Sequence, residues 1–349
     1  VAVARPGLPT ATTAPATGAG GISPAAWITA LVLLFMPALA SDFFLVQVFG
    51  WTLILGTIAL SLQFLAGYGG MVSLVQMTVA GFAGYMVAIL GTSGLGQISL
   101  GWPFWLAVPV AILLAVVFGT LSGALAVRTA GIYTIMITLA IAAAFFYFTR
   151  QNETVFGGFL GFNGVRAPVF WGIDWRSPVP FYYLCLGWAA IAFGLVTWVI
   201  RAPFGLALQG IRDNPRRMAA LGFDVTAHRI AAYAFAAFLA APAGILLTWL
   251  NGQIAPGTVG IGPVIDILVI AVVGGLGRPI GPFIGALLYV LLRLFALDLL
   301  VALGLSGQRF QLLIGIGFLL TVLFSPDGIL GLWERARQRW AGPPGGGGR

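Results

Sequence analysis

The sequence contains no lysine; all 17 of its basic residues are arginine. Without lysine there is no side chain to reach nucleotide phosphates from a P-loop and none to form a Schiff base. One cysteine, Cys185, excludes an internal disulfide. One histidine, His228, excludes a multi-histidine metal centre. Charge of either sign is scarce. Only 7% of the 349 residues are charged, against about 25% in an ordinary soluble domain. That is too little to build a water-soluble surface, and lipid removes the need for one. No paired acids, Cys–His pair or metal cluster stands at a spacing that would support an intramembrane enzyme.

What is present is apolar: 60% of the residues are hydrophobic and the mean hydropathy is +1.03. A bilayer crossing needs about 20 apolar residues. Candidate spans fall at 27–41, 43–66, 71–91, 103–126, 132–149, 180–200, 229–250, 264–277, 281–297 and 309–324. The first ends in Ala38-Leu39-Ala40, which resembles a signal-peptide cleavage site. Its charged flank is a single distant Arg5, so it reads as a membrane helix. Residues 1–25, rich in Ala, Thr, Pro and Gly, read as a disordered tail. The expected organisation is a transmembrane domain over 26–333 and a basic, Gly-rich tail over 334–349.

A net charge of +8 could point to nucleic acid. The arginines, however, are scattered between apolar runs, which fits membrane topology, and no nucleic-acid partner is expected. With the N-terminus inside, Arg128, the segment 201–228, Arg278 and the tail with Arg335, Arg337 and Arg339 all fall on the inner side. The connections 92–102 and 251–263 then lie outside and carry no charge, while 150–179 carries three arginines against two acids. The expected fold is therefore an all-α membrane protein, a polytopic bundle of about ten transmembrane helices with both termini inside, in contact with lipid.

The segment 201–228 is longer than the usual helix–helix link of about 2 to 8 residues. It reads as two short helices, the first over about 204–211. Asn214 suits the cap of the second, Pro215 its first position and Gly222 its left-handed stop. Two readings stand: a surface that docks a partner, or an amphipathic helix lying on headgroups.

The order of motifs adds a resemblance. Phe204-Gly205, Ile211-Arg212-Asp213-Asn214, Ala219-Ala220-Leu221-Gly222 and Ala240-Ala241-Pro242-Ala243-Gly244 are similar to the coupling segment of branched-chain amino acid ABC transporter permeases of the LivM type. The same family's pattern is resembled by Gly67-Tyr68-Gly69-Gly70-Met71-Val72-Ser73-Leu74 with Gly81 to Tyr85, and by Gly131-Ile132-Tyr133-Thr134 with Thr138-Leu139-Ala140. Gly274-Gly275-Leu276-Gly277 with Gly281-Pro282 and Gly285-Ala286, then Ser325 to Gly331, complete the set over roughly 45–332. Leu206 stands where the family usually has Arg, and Pro215 where it usually has an acid. The resemblance implies an importer subunit for branched-chain or related small amino acids in a bacterial inner membrane. It implies a second permease subunit in a heterodimer, two ABC ATPase subunits and a periplasmic substrate-binding protein. ATP and magnesium would then be bound by the ATPases, with no cofactor in this chain. Gly205, Arg212, Asp213, Asn214 and Gly222 would form the ATPase-coupling site, Arg212 and Asp213 as polar contacts. A urea or short-chain amide permease shares the pattern, and an ion-coupled secondary transporter is the rival of a different class.

Several polar residues sit in apolar stretches. Gln76, Thr134, Thr138, Asp266 and Gly275 are candidates for the transport pathway. The other reading makes the Gln and Thr residues, with Gln63 and Asn251, interhelical glue, and takes Asp266 to the outer interface. Residues 274–279 form either a re-entrant break or a tight turn, with Gly277, Gly281 and Gly285 as a close-packing ladder. Arg293 is expected to pair with Asp298 or to snorkel outward. His228 is expected at the inner headgroups, and Trp27, Trp102, Tyr182, Trp249 and Trp333 at the interfaces.

Overall fold

The structure, a computed structural model, describes residues 24–94, 99–129, 131–170 and 172–302. The chain divides into two units at Leu39. The first contributes one apolar helix, α1 (Pro24–Leu39), with Pro37 inside it.

The second unit is a helical bundle. Its central helix, α2 (Trp51–Gln63), is flanked by π-helical turns at Phe44–Gly50 and Phe64–Tyr68. Thr52 to Gln63 are all buried. The reason is legible in the residues: a helix that is apolar all round has no face to give to water or to a polar surface. Then follow α3 (Gln76–Leu90), α4 (Phe104–Ala126), α5 (Ile132–Gln151) and the short α6 (Glu153–Phe156). After these come α7 (Pro178–Arg201), α8 (Pro203–Asp213), α9 (Pro215–Ala220), α10 (Val225–Asn251), α11 (Ile261–Gly274) and α12 (Gly281–Ala302). Among the described residues, five helical stretches are long and apolar enough to cross a membrane, and α3, α11 and the first part of α12 are shorter apolar helices. Nine of the ten expected spans coincide with helices. The tenth, 309–324, lies outside the described residues.

Lipid gives helices no hydrophobic reason to associate, so close packing must hold them. The α4 helix shows how. Ala107, Ala111, Ala115, Gly119, Ser122, Gly123 and Ala126 form its buried stripe, while Leu113, Val117, Leu121 and Leu125 point outward. A Cβ at Gly119 would strike Ala237, and one at Gly123 would strike Tyr233, both on α10. At the crossing of α3 and α10 the backbones nearly touch, for a Cβ on Gly244 would fall on the Ala80 carbonyl. The α11–α12 hairpin closes through Gly274, Gly281 and Gly285. Gly277, expected in that ladder, faces open space. Gly275 ends α11 at φ +106°, a conformation that favours glycine, so 275–280 is a turn between two helices.

Connections gather at two ends. At one, Gly94 N–H donates to Asn163 O (2.7 Å), Val165 N–H to Gly252 O (3.0 Å), and β1 (Phe162–Asn163) pairs with β4 (Gln253–Ile254). A second small hairpin pairs β2 (Val169–Phe170) with β3 (Ile173–Asp174). The other end holds 64–75, 201–225 and 275–280. Arg293 is exposed and its guanidinium lies 5.3 Å from the Trp51 ring centre; the side chain of Asp298, its expected partner, lies outside those described. Tyr182 and Trp249, expected as interfacial anchors, are buried.

Candidate coupling site and buried polar core

The segment between α7 and α10 is built from local signals. Pro203 opens α8 and Pro215 opens α9, each at a position where a missing N–H costs nothing. The Asn214 side chain caps α9 by accepting from Arg217 N–H at 3.0 Å. Gly222, at φ +91°, turns the chain toward α10. Asp224 caps α10, accepting from Ala227 N–H at 2.9 Å. The fold of this segment thus follows the expected punctuation.

Its packing explains why it stands as a rigid unit. Leu208 and Ile211 are fully buried, whereas Leu206 and Leu221 are exposed. Gly205 lets α8 lie against the end of α7, because a Cβ there would strike the Val199 carbonyl. Gln209 Nε2 donates to Ile200 O (3.1 Å). His228 stacks on Phe204 at 5.8 Å between centroids and meets the Phe223 ring edge-on at 5.7 Å. It therefore pins the start of α8 and the end of the α9 loop onto α10.

The Arg212 side chain is 40% exposed, yet it reaches back to the bundle. Its Nη1 donates to the Gly67 carbonyl at 2.6 Å, and its Nε lies 2.9 Å from Asp213 Oδ1. The aliphatic part of Arg212 lies against Gly70, which has φ +65° and no room for a Cβ. Asp213, Arg216 and Arg217 remain on the exposed face.

Behind this corner lies a buried polar core. The coil joining the α2 end to α3 carries the Gly-rich motif and is buried at Met71 and from Ser73 to Val75. Buried irregular backbone needs hydrogen-bond partners inside the protein. Thr138 Oγ1 supplies one by accepting from Leu74 N–H at 3.1 Å. Ser61 Oγ lies 2.6 Å from Ile58 O and 3.2 Å from Gln76 Oε1. One hydroxyl proton cannot serve both acceptors. Turning the Gln76 amide over lets Ser61 donate to Ile58 and accept from Gln76, but it only exchanges which amide atom is left over. Gln76 Nε2 as placed has no partner although the residue is 1% exposed. A buried amide with one spare hydrogen-bonding atom is where a water or a polar ligand group finds a partner.

The other expected pathway residues are distributed. Thr134 caps its own neighbourhood, donating to Thr129 O at 3.1 Å. Asp266 is half-buried on α11 beside the Tyr289 hydroxyl, with Arg293 in electrostatic range. Gly275 lies at the turn next to Leu276, whose carbonyl accepts from Gln63 Nε2 at 2.8 Å. The structure thus groups Ser61, Gln76 and Thr138 around the 69–75 coil, and sets Asp266 in a separate group with Tyr289 and Arg293. Ser61 and the Gly67 carbonyl were missed in the sequence. Ser61 is one hydroxyl in an apolar run, and a carbonyl has no residue signature. An apolar cleft of about 530 Å3 between α4, α7 and α10, lined by Trp105, Trp175, Trp188 and Trp249, offers almost no polar group to orient an amino acid.

A bundle of close-packed apolar helices, a buried polar core and a structured hairpin at one end define a multi-pass membrane permease. The chain belongs to the family described as the permease component of branched-chain amino acid transport systems, whose pattern matches residues 44–322. It is similar to the Escherichia coli protein LivM, a high-affinity branched-chain amino acid transport system permease, with 23% identity over 86% of this chain and 74% of that one. It is also similar to a probable branched-chain amino acid transport permease LivM of Methanocaldococcus jannaschii, 26% identical over 63% of this chain and 67% of that one. The ribose import permease RbsC of Haemophilus influenzae is 23% identical over 59% of this chain and 64% of its own length. No solved structure matches the chain.

Proposed function

We propose that this chain is the permease subunit of an ATP-driven importer in a bacterial inner membrane, passing branched-chain or related small amino acids. The observation that carries the reading is the α8–α9 hairpin: a rigid, capped protrusion between two long helices, on a chain without any lysine for a standard nucleotide site. Two ABC ATPase subunits would bind ATP and magnesium and dock on Gly205 to Gly222, with Asp213 and the arginines on the outer face of the hairpin. A second permease subunit would complete the pathway as a heterodimer, and a periplasmic binding protein would deliver substrate. Closure of the ATPases would tilt α7 and α10, a rigid-body form of alternating access. Gln76 and Thr138 would line the path, with Thr134, Asp266 and Gly275 toward its margins.

The finer topology follows the charge. The end holding 201–225 and 275–280 would be cytoplasmic, with ten spans and both termini inside. Residues 1–25 and 334–349 would be tails flanking the membrane domain.

Reconstitution into proteoliposomes with candidate ATPases and a binding protein tests this. The panel is labelled leucine, isoleucine, valine, other neutral amino acids and urea. Uptake of a branched-chain amino acid that requires ATP hydrolysis supports the reading. Uptake by the lone subunit under an ion gradient, or uptake of urea alone, overturns it.

A further inference from the structure

We propose that Arg212 works inward, as the positioning residue that carries movement of α8 to the inner end of α2 and to the turn after α11. This deepens the coupling reading above and rests on it.

Three segments far apart in sequence meet at one corner. Arg212 Nη1 donates to Gly67 O at 2.6 Å. Four residues before Gly67, Gln63 Nε2 donates to Leu276 O at 2.8 Å. The Tyr68 hydroxyl is directed at Gly277 O, 3.5 Å away. A Cβ on Gly67 would fall on the Leu276 carbonyl, so the two backbones are in contact there. Coil, π-helical turn and helix-terminal turn are thus joined through carbonyls, which neither titrate nor change with side-chain identity.

The local shape favours transmission over simple bracing. Asp213 holds the Arg212 guanidinium through Nε and Nη2, both 2.9 Å from one carboxylate oxygen. That leaves Nη1 aimed at Gly67. Gly70 at φ +65° gives the arginine stem a flat surface, with Arg212 Cγ where a Cβ would be. Among the described residues, the other side-chain hydrogen bond from α8 to a neighbouring helix runs from Gln209 to Ile200, at the end of the adjoining α7. Among the described residues, Arg212 therefore makes the long-range polar link from the α8–α9 hairpin. The corner it grips also begins the buried coil that holds Thr138 and leads into Gln76. A shift of α8 is passed to the polar core by a backbone already in contact with both.

The test uses the full complex and, separately, the chain alone. Spin labels go at Leu206, exposed on α8, and at Gly277, open in the turn. In the otherwise unaltered chain the distance between them is narrow, and it stays narrow when ATP is trapped in the complex. In Arg212→Gln the distribution broadens, and uptake per ATP hydrolysed falls about tenfold, within the usual range of coupling energies. Arg212→Lys reaches Gly67 without the fork that Asp213 holds, and gives an intermediate result. Gln63→Leu breaks the same chain one step further on. It gives the same loss, and the double variant is no worse than either single one. A narrow distribution in Arg212→Gln, with uptake per ATP within twofold of the parent, overturns the proposal, as do additive losses. Failure of the parent complex to import overturns the transport reading instead, and the label distances in the chain alone still decide Arg212.

Discussion

Buried polarity at single residues marks where this membrane domain departs from simple packing. Gln76 is enclosed in the bundle with one amide atom left over whichever way the amide is turned. A buried, half-satisfied polar group costs about 1–3 kcal/mol. Gln76→Leu keeps the volume nearly constant and removes that cost. The expected outcome is a thermal midpoint in detergent that holds or rises, while uptake falls by about tenfold, the equivalent of one lost hydrogen bond to the passing substrate. Scintillation-counted uptake and a thermal melt on the same preparation check both halves. A drop in stability with uptake intact would make Gln76 interhelical glue. The candidate was legible in the sequence because a glutamine in an apolar run is conspicuous. Its partner Ser61 was not, since serine passes easily among small residues on a helix, and only the approach of α2 to α3 gives it a role.

At the scale of elements, helices meet where small residues let backbones touch. The α3–α10 crossing is the sharpest case, since a Cβ on Gly244 would overlap the backbone of Ala80. Gly244→Val forces α3 and α10 apart. Overpacking of this kind costs about 3 kcal/mol at the upper end, and the expected result is loss of monodisperse protein in size-exclusion chromatography. Gly187→Val, on α7 with nothing near its Cβ, is the control that stays folded. The apolar spans were legible because length and hydropathy are properties of a run of residues. The two helices of the 201–222 hairpin were legible from Asn214, Pro215 and Gly222, because caps are local chemistry. The ladder glycine was misplaced at Gly277 for the opposite reason. Which glycine meets a neighbour depends on where α11 stops, and Gly275 stops it three residues earlier than the expected span end at 277. The resemblance singled out Arg212 as a coupling candidate, but the direction of its side chain depends on Gly67, 145 residues away.

For the molecule as a whole, the connections sort into two ends, and charge gives those ends a direction. Hydrogen bonds tie Gly94 to Asn163 and Val165 to Gly252 at one end, and Arg212 to Gly67 and Gln63 to Leu276 at the other. That sorting comes from contacts, independently of any charge count. The end with the α8–α9 hairpin carries Arg128, Arg201, Arg212, Arg216, Arg217 and Arg278 against Asp213 and Asp224. The opposite end carries Arg150, Arg166 and Arg176 among acids. By the positive-inside bias the hairpin end would lie in the cytoplasm, where ATP would be available to the proposed ATPase subunits. Cysteine labelling in intact cells tests this directly. The one native thiol, Cys185, is buried, so its background is low, and Cys185→Ala removes it. Leu160 and Leu221 are both well exposed, one at each end. A membrane-impermeant maleimide is expected to label Leu160→Cys in intact cells and Leu221→Cys only after the membrane is opened. Labelling in the reverse order would turn the molecule over and remove the hairpin from the ATPases, and with it the energy source on which the transport reading depends.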